Sequence, residues 1–225
     1  MIDLNILETN IKSYEQLVGT LSPELSGIDL YESLLAGAIS LRAKNAEFNK
    51  IKPVIVSMIE WLRQGDFYTA PASTKYHESY HGGLLEHSIN VYKYMMELLK
   101  LQSFNKIDIG SAALVALTHD WCKIGKYESY TKNVKENGVW VEQTAYKCKE
   151  NTVGLGHGPQ SLMMVAQFCF NSATKLTFDE MAAIRWHMYT YDVTSYDIRD
   201  LNDCGNNIPI VKCLQFADQL ATANF

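Results

Sequence analysis

Through most of this chain apolar residues recur at three- and four-residue spacing, a period that buries one face of a helix and gives a strand no consistent side. The pattern predicts helices over 6–17 and 26–43, the second with Leu30, Leu34, Leu35, Ile39 and Leu41 in one stripe. A third helix through Leu62 places Pro53 in its first turn and turns Ile55, Ile59 and Leu62 inward. Helical spacing resumes over 84–101, 108–121, 157–170, 177–188 and 209–222, and Thr177 with Glu180 has the spacing of a capping box. The period changes once, between 126 and 150. There 127–134 and 139–146 are rich in β-branched and aromatic residues and flank Lys135-Glu136-Asn137-Gly138, whose Asn-Gly pair signals a hairpin turn. Two polar stretches, 65–83 and 189–209, read as loops. The expected fold class is all-α: a helical bundle with a small inserted β-hairpin, organised as one domain over 1–225 with a helical N-terminal extension.

With 225 residues the chain has material for one substantial core, and its 47% apolar and 20% charged residues exclude disordered and fibrous classes. A net charge of -5 without a run of five basic residues weighs against binding a long polyanion through its backbone, while leaving room for a local pocket for one phosphate. Cysteines 122, 148, 169, 204 and 213 are odd in number and form no CxxC pair. Cys169 lies in the apolar run 165–170, so reduced thiols and a cytoplasmic setting are expected. The first ten residues lack a signal peptide's pattern, and no stretch approaches the ~20 apolar residues of a membrane span.

Five side chains stand out because they carry chemistry on faces that should be apolar. His87 follows Gly82-Gly83 and shares a helical row with Leu84 and Val91. His119 and Asp120 end the apolar run 112–117, and His187 closes the face marked by Ala183 and Ile184. Asp218 continues the line Val211–Leu214 with Ala217 and Ala221 beside it. A carboxylate in such a row is costly unless it is paired or holds a metal. Together His87, His119, Asp120 and Asp218 offer imidazole nitrogen and carboxylate oxygen to a divalent ion. Manganese, iron, zinc, magnesium and nickel all accept such ligands.

The order of these residues resembles the pattern of the HD-domain superfamily of metal-dependent phosphohydrolases. Gly82-Gly83-Leu84-Leu85-Glu86-His87-Ser88 looks like the first-ligand motif of the branch similar to bacterial 3′–5′ exoribonucleases. Leu117 to Gly125 resembles its His-Asp-x-x-Lys-x-Gly segment, and Ala217-Asp218 its terminal ligand. His157 in Gly156-His157-Gly158 and His187 in Trp186-His187 occupy the positions of two further ligands in bimetallic members. The resemblance covers residues 67–221.

What the resemblance implies is an HD-type bundle that hydrolyses a phosphate ester or anhydride with water activated by one or two metal ions. Asp120 would bridge two ions, with His87, His119 and Asp218 on one and His157 and His187 on the other. His157 has the alternative of hydrogen bonding to solvent or substrate. Asp120 and Lys123 are the expected catalytic residues; Lys123, one turn beyond His119, either meets a substrate phosphate or lies solvated on the surface. Lys126, Arg185, Lys75, Tyr76 and His81 are further candidates for substrate contact. His77 and His81 sit in a glycine-flanked loop and receive no metal assignment.

The chain departs from the exoribonuclease pattern because its N-terminal part reads as helix continuous with the body, not as an OB-fold nucleic-acid module. That shifts the expectation to a small nucleotide-like substrate, with Tyr127, Tyr130, Trp140 and Tyr146 of the hairpin able to act as a lid or simply to pack. A single-strand exonuclease or cyclic-nucleotide phosphodiesterase, with a short single strand as partner, and a silent nucleotide-binding regulator stay open as alternatives. No membrane partner is expected, and the oligomeric state is undetermined.

Overall fold

The structure, a computed structural model, describes residues 1–20, 25–44, 46–150, 154–169 and 173–223. Among these the chain is mostly helical: α1 Leu7–Leu17, α2 Gly27–Arg42, α3 Phe48–Gln64, α4 Gly83–Leu98, α5 Ile109–Thr118, α6 His157–Ala166, α7 Phe178–Trp186, α8 Ile198–Asn207 and α9 Pro209–Thr222. One antiparallel hairpin, β1 Tyr127–Glu136 and β2 Val139–Cys148, leaves the body between α5 and α6. No helix of the described residues is long and apolar enough to cross a membrane.

Helix α2 is the axis, with every residue from Leu30 to Ser40 buried. It packs against α1 and α5, and α4 packs against α5 and α9. Small residues set the closest crossings. A Cβ at Gly37 would lie 2.3 Å from the Tyr14 carbonyl oxygen, and one at Gly110 would lie 3.0 Å from the Arg42 backbone nitrogen. Both ends of α2 carry buried charge with partners. Glu32, fully buried, accepts from Arg63 Nε and Nη2 at 2.8 and 2.7 Å and from the Tyr68 hydroxyl at 2.9 Å. Arg42 forks onto Glu180 near the start of α7 and also donates to the Thr174 and Lys175 carbonyls.

Local chemistry explains most boundaries. Asn137 and Gly138 have φ of +49° and +86°, the backbone of a type I′ turn, and register pairs Glu136 with Val139. The strands run two residues further than 127–134 and 139–146. The Thr177–Glu180 capping box is present. Helix α4 stops at Leu98 and α5 at Thr118, each a few residues before the periodicity does; the end of the sixth predicted helix at 170 lies outside the described residues. Two readings are corrected. Helix α3 begins at Phe48, one turn ahead of Pro53, because burial of Ile51 holds a turn that proline's missing N–H weakens. The stretch 189–209 is not a loop: a 3₁₀ turn at Tyr189–Asp192 precedes α8, which buries only Leu201 and Gly205 and so carries almost no apolar signal.

One buried hydrogen-bond chain joins the axis to the segment after α5. Tyr31 donates from its hydroxyl to the Leu117 carbonyl at 2.6 Å, and Trp121 Nε1–H donates to that hydroxyl at 3.0 Å. Helix α5 ends here, so its last carbonyls lack helical partners and Tyr31 satisfies one. Tyr31→Phe should therefore lower the unfolding free energy by about 1–3 kcal/mol in urea denaturation. An unchanged midpoint and slope would show that this chain of bonds does not hold the end of α5.

Candidate metal centre

The ends of α5 and α7 place two histidines in the same way. His119 and His187 are the residues that close these helices, and the Nδ1 of each meets the free carbonyl three residues back, Ala116 and Ile184, at 2.8 Å. A carbonyl only accepts, so each Nδ1 carries the proton and each Nε2 presents its lone pair inward. The first turn of α4 supplies His87, and the third turn of α9 supplies Asp218. After His119 the chain tightens into a 3₁₀ turn, Trp121–Lys123, which swings Asp120 and Lys123 to the same side.

The inward atoms converge. His87 Nε2 lies 3.1 Å from Asp218 Oδ1, 3.5 Å from Asp120 Oδ2 and 3.4 Å from His119 Nε2. His119 Nε2 lies 3.5 Å from Asp120 Oδ2 and 3.8 Å from Asp218 Oδ1. An ion with bonds of about 2.1 Å separates its ligand atoms by about 3.4 Å at the tetrahedral angle and about 3.0 Å at a right angle. His87, His119 and Asp120 therefore fit a divalent ion in both element and spacing, and Asp218 adjoins them at 3.1 Å from His87 and 3.8 Å from His119. On the other side of Asp120, Oδ1 meets His157 Nε2 at 2.6 Å and His187 Nε2 at 3.5 Å. The His187 nitrogen is buried and, among the described residues, has only a long contact to Asp120 Oδ1 in place of a well-formed hydrogen bond, a deficit that a second ion would satisfy. Cys122, two residues past Asp120, adds a sulfur donor near Asp120 and His157. Burial pushes that thiol up to about 12, which keeps it protonated, so sulfur is the poorest donor present.

The electrostatics follow from burial and pairing. Asp120 is 2% exposed; burial would raise its carboxyl, but Lys123, with Nζ 2.6 Å from Oδ2, holds it well below the ordinary value. Lys123 is not a solvated surface lysine. It is 6% exposed, and although burial disfavours its charge, Asp120 raises its pKa. Asp218 is lowered as well: burial would raise it, but the hydrogen bond from His87 and the neighbouring His119 and His87 charges together pull it down. Burial takes His119 down to about 3, so its ring is neutral and ligand-ready at ordinary pH. His187 runs the other way: burial lowers it, but Asp120 outweighs burial and raises it.

All six expected metal ligands, His87, His119, Asp120, His157, His187 and Asp218, thus lie in one cluster. The expected substrate contacts do not gather as closely. Lys126 lines a cleft of about 470 Å³ beside His157, with Cys122, Gln160, Tyr191 and Asp192. Arg185 lays its guanidinium 3.8 Å from the Trp186 ring centroid and reaches the edge of that cleft only through Asp192, 3.9 Å from Nη1. His81 lines a separate groove of about 630 Å³ between the 66–81 loop and the hairpin, with Tyr127 and Tyr146. Lys75 and Tyr76 stand exposed on the crest of that loop. His77 and Glu78, neither assigned to the centre from sequence, pack against His87, with the two imidazole rings 4.9 Å apart. No periodicity marks a loop residue as buried, so only the fold reveals them.

Proton competition gives the centre a pH signature. Because the His187 pKa is raised, the ring holds a proton below that value, and an ion must displace it. Affinity at the His157–His187 side should fall as pH drops through the raised His187 pKa, which lies above the ordinary histidine value. Calorimetric Mn²⁺ titration at several pH values, with His187→Ala and Asp218→Asn, checks this; pH-independent uptake on both sides would refute it.

No family model matches this chain, and no curated protein and no solved structure matches it either. The geometry of the centre carries the functional reading.

Proposed function

We propose that this chain is a metal-dependent phosphohydrolase of HD type, acting on a phosphate ester or anhydride of a small nucleotide-like substrate. The observation that carries the reading is the convergence of His87, His119 and Asp120 at ligand-to-ligand spacing, with Asp218 beside them and the buried ammonium of Lys123 against Asp120. His87, His119, Asp120 and Asp218 would hold one ion, and Asp120, His157 and His187 a second. A divalent ion at such a site supplies Lewis acidity toward a phosphoryl oxygen and acidifies water at neutral pH.

The chain's own residues do the rest. Asp120 presents one oxygen to each side of the cluster and so fixes the relation between the two ligand groups. Lys123 offers an ammonium but no lone pair; its part is to neutralise charge on a phosphoryl oxygen that approaches Asp120. The cleft beside His157 has a volume in the range of small-ligand pockets, and Lys126 at its rim adds one positive charge for a second phosphate or a leaving group. His87, His119, Asp120 and His187 are themselves almost fully buried, which strengthens each of these interactions.

A phosphate-release screen over mononucleotides, nucleoside triphosphates, cyclic nucleotides and short single strands tests the reading, with Asp120→Asn as the control. Release from a small nucleotide that Asp120→Asn abolishes supports it. Activity confined to single strands or cyclic nucleotides moves the chain to a nuclease or phosphodiesterase, and nucleotide binding without turnover to a regulator. Lys123→Ala should lower kcat/KM by about ten- to a hundredfold, the worth of one charged hydrogen bond, while metal content stays at or above native because a competing cation has gone. Loss of metal in Lys123→Ala would show that the lysine organises the ligands instead.

A further inference from the structure

Glu78 stands beside the centre without belonging to its ligand set. Its Oε2 lies 3.7 Å from His87 Nδ1, the ring nitrogen turned away from Asp218 and His119. Both atoms are buried and neither has a hydrogen-bond partner among the described residues. The backbone is arranged to bring them together. Glu78 has φ of +39°, a left-handed conformation that residues with a side chain seldom adopt. A Cβ at Gly83 would come within 1.9 Å of the Glu78 carbonyl oxygen, so the first residue of α4 has to be glycine for the loop to lie on it. The Ala72 amide donates to that same carbonyl at 3.0 Å, and the Asn90 side chain holds the Glu78 carboxylate. One turn beyond Gly83 the helix carries His87. Backbone strain, a glycine contact and a side-chain clamp thus all aim one buried carboxylate at one ring nitrogen.

We infer that Glu78 is a positioning residue of the metal centre: its carboxylate accepts a hydrogen bond from His87 Nδ1–H and so commits His87 Nε2 to the ion. The inference rests on the metal reading above. A neutral imidazole carries one proton, and a ring whose Nε2 lone pair is given to an ion must carry it on Nδ1. A buried N–H needs an acceptor, and carboxylates commonly take this place behind metal-bound histidines. Glu78 Oε2 is the acceptor in front of His87 Nδ1, and a shift of about 1 Å brings the pair to hydrogen-bond distance. The separation itself has a cause. With Nε2–H directed at Asp218 Oδ1, 3.1 Å away, Nδ1 is a lone pair facing a carboxylate, and two acceptors stand apart. On ion uptake the Nε2 proton passes to solvent and Nδ1 takes one up; the ring stays neutral, and repulsion becomes a hydrogen bond.

The test titrates the intact chain with Mn²⁺ and Zn²⁺ and follows the His87 ring by ¹⁵N NMR in the Zn²⁺-loaded form. Glu78→Ala should weaken the first ion by about ten- to a hundredfold, the usual cost of losing such a partner. Glu78→Gln, whose amide oxygen still accepts, should lose less, and it carries the test should the alanine variant not fold. The native Zn²⁺ form should show a slowly exchanging Nδ1–H on His87 that Glu78→Ala exposes to rapid exchange. Native affinity together with an unchanged Nδ1–H signal in both variants would overturn the proposal alone. Loss of one whole ion with the rest bound as before would also overturn it, assigning His77, Glu78 and His87 to an ion of their own. A native chain that takes up neither ion would overturn the metal reading and this proposal with it.

Discussion

The negative charge of Asp120 lies where water scarcely reaches, and the surrounding chain is arranged to meet it. Removing one partner of such a buried charge typically costs about 3–5 kcal/mol, so the carboxylate and its neighbours form a unit rather than a set of independent contacts. Lys123 on one oxygen and His157 on the other, each at 2.6 Å, are its closest partners. A single ammonium does not balance both Asp120 and Asp218, and His119 is neutral through burial. The arrangement therefore favours a cation among these atoms, for the same electrostatic reason that makes the carboxylates expensive without one.

Precision in the centre comes from helix ends rather than from loops. His119 and His187 are locked by the unpaired carbonyls that every helix leaves in its last turn, so a generic feature of α5 and α7 becomes the device that fixes a tautomer. Two neighbouring segments are held in place from a distance. Glu32 and Arg42, near opposite ends of the buried axis α2, tie the approach to the 65–83 loop through Arg63 and Tyr68, and the start of α7 through Glu180. Buried ion pairs of this kind add little net stability compared with apolar packing, but each has few geometries that satisfy it. Their contribution here is to fix where α7 begins and how the chain enters the 65–83 loop.

The hairpin illustrates a different economy. Most of its residues are exposed, with Ala145 its one buried apolar residue and Trp140 68% exposed, so local turn chemistry and pairing hold it rather than the core. It contributes Tyr127 and Tyr146 to the groove that His81 also lines, while Lys126, at its root, faces the cleft beside His157. One insertion therefore borders both openings, of which the cleft reaches the cluster at His157.

The sequence by itself determined the helical class, the hairpin with its Asn-Gly turn, the Thr177–Glu180 cap and the residue types of the His/Asp cluster. Each is written in short-range spacing or in a polar residue on an apolar row, and short-range spacing survives without knowledge of the fold. Helix α8 escaped notice because it buries two residues, and the early start of α3 because a proline outweighs packing in any local reading. Glu78 and His77 were illegible for a related reason: their burial depends on a loop folding back onto Gly83, a contact that no periodicity records. Tertiary structure alone decided that Lys123 is buried against Asp120 instead of solvated, and that Arg185 stacks on Trp186. It also decided that Lys75 and Tyr76 stay in solvent. A side chain's charge and length are local properties, but its partner is whatever the packing of distant elements brings within a few ångströms.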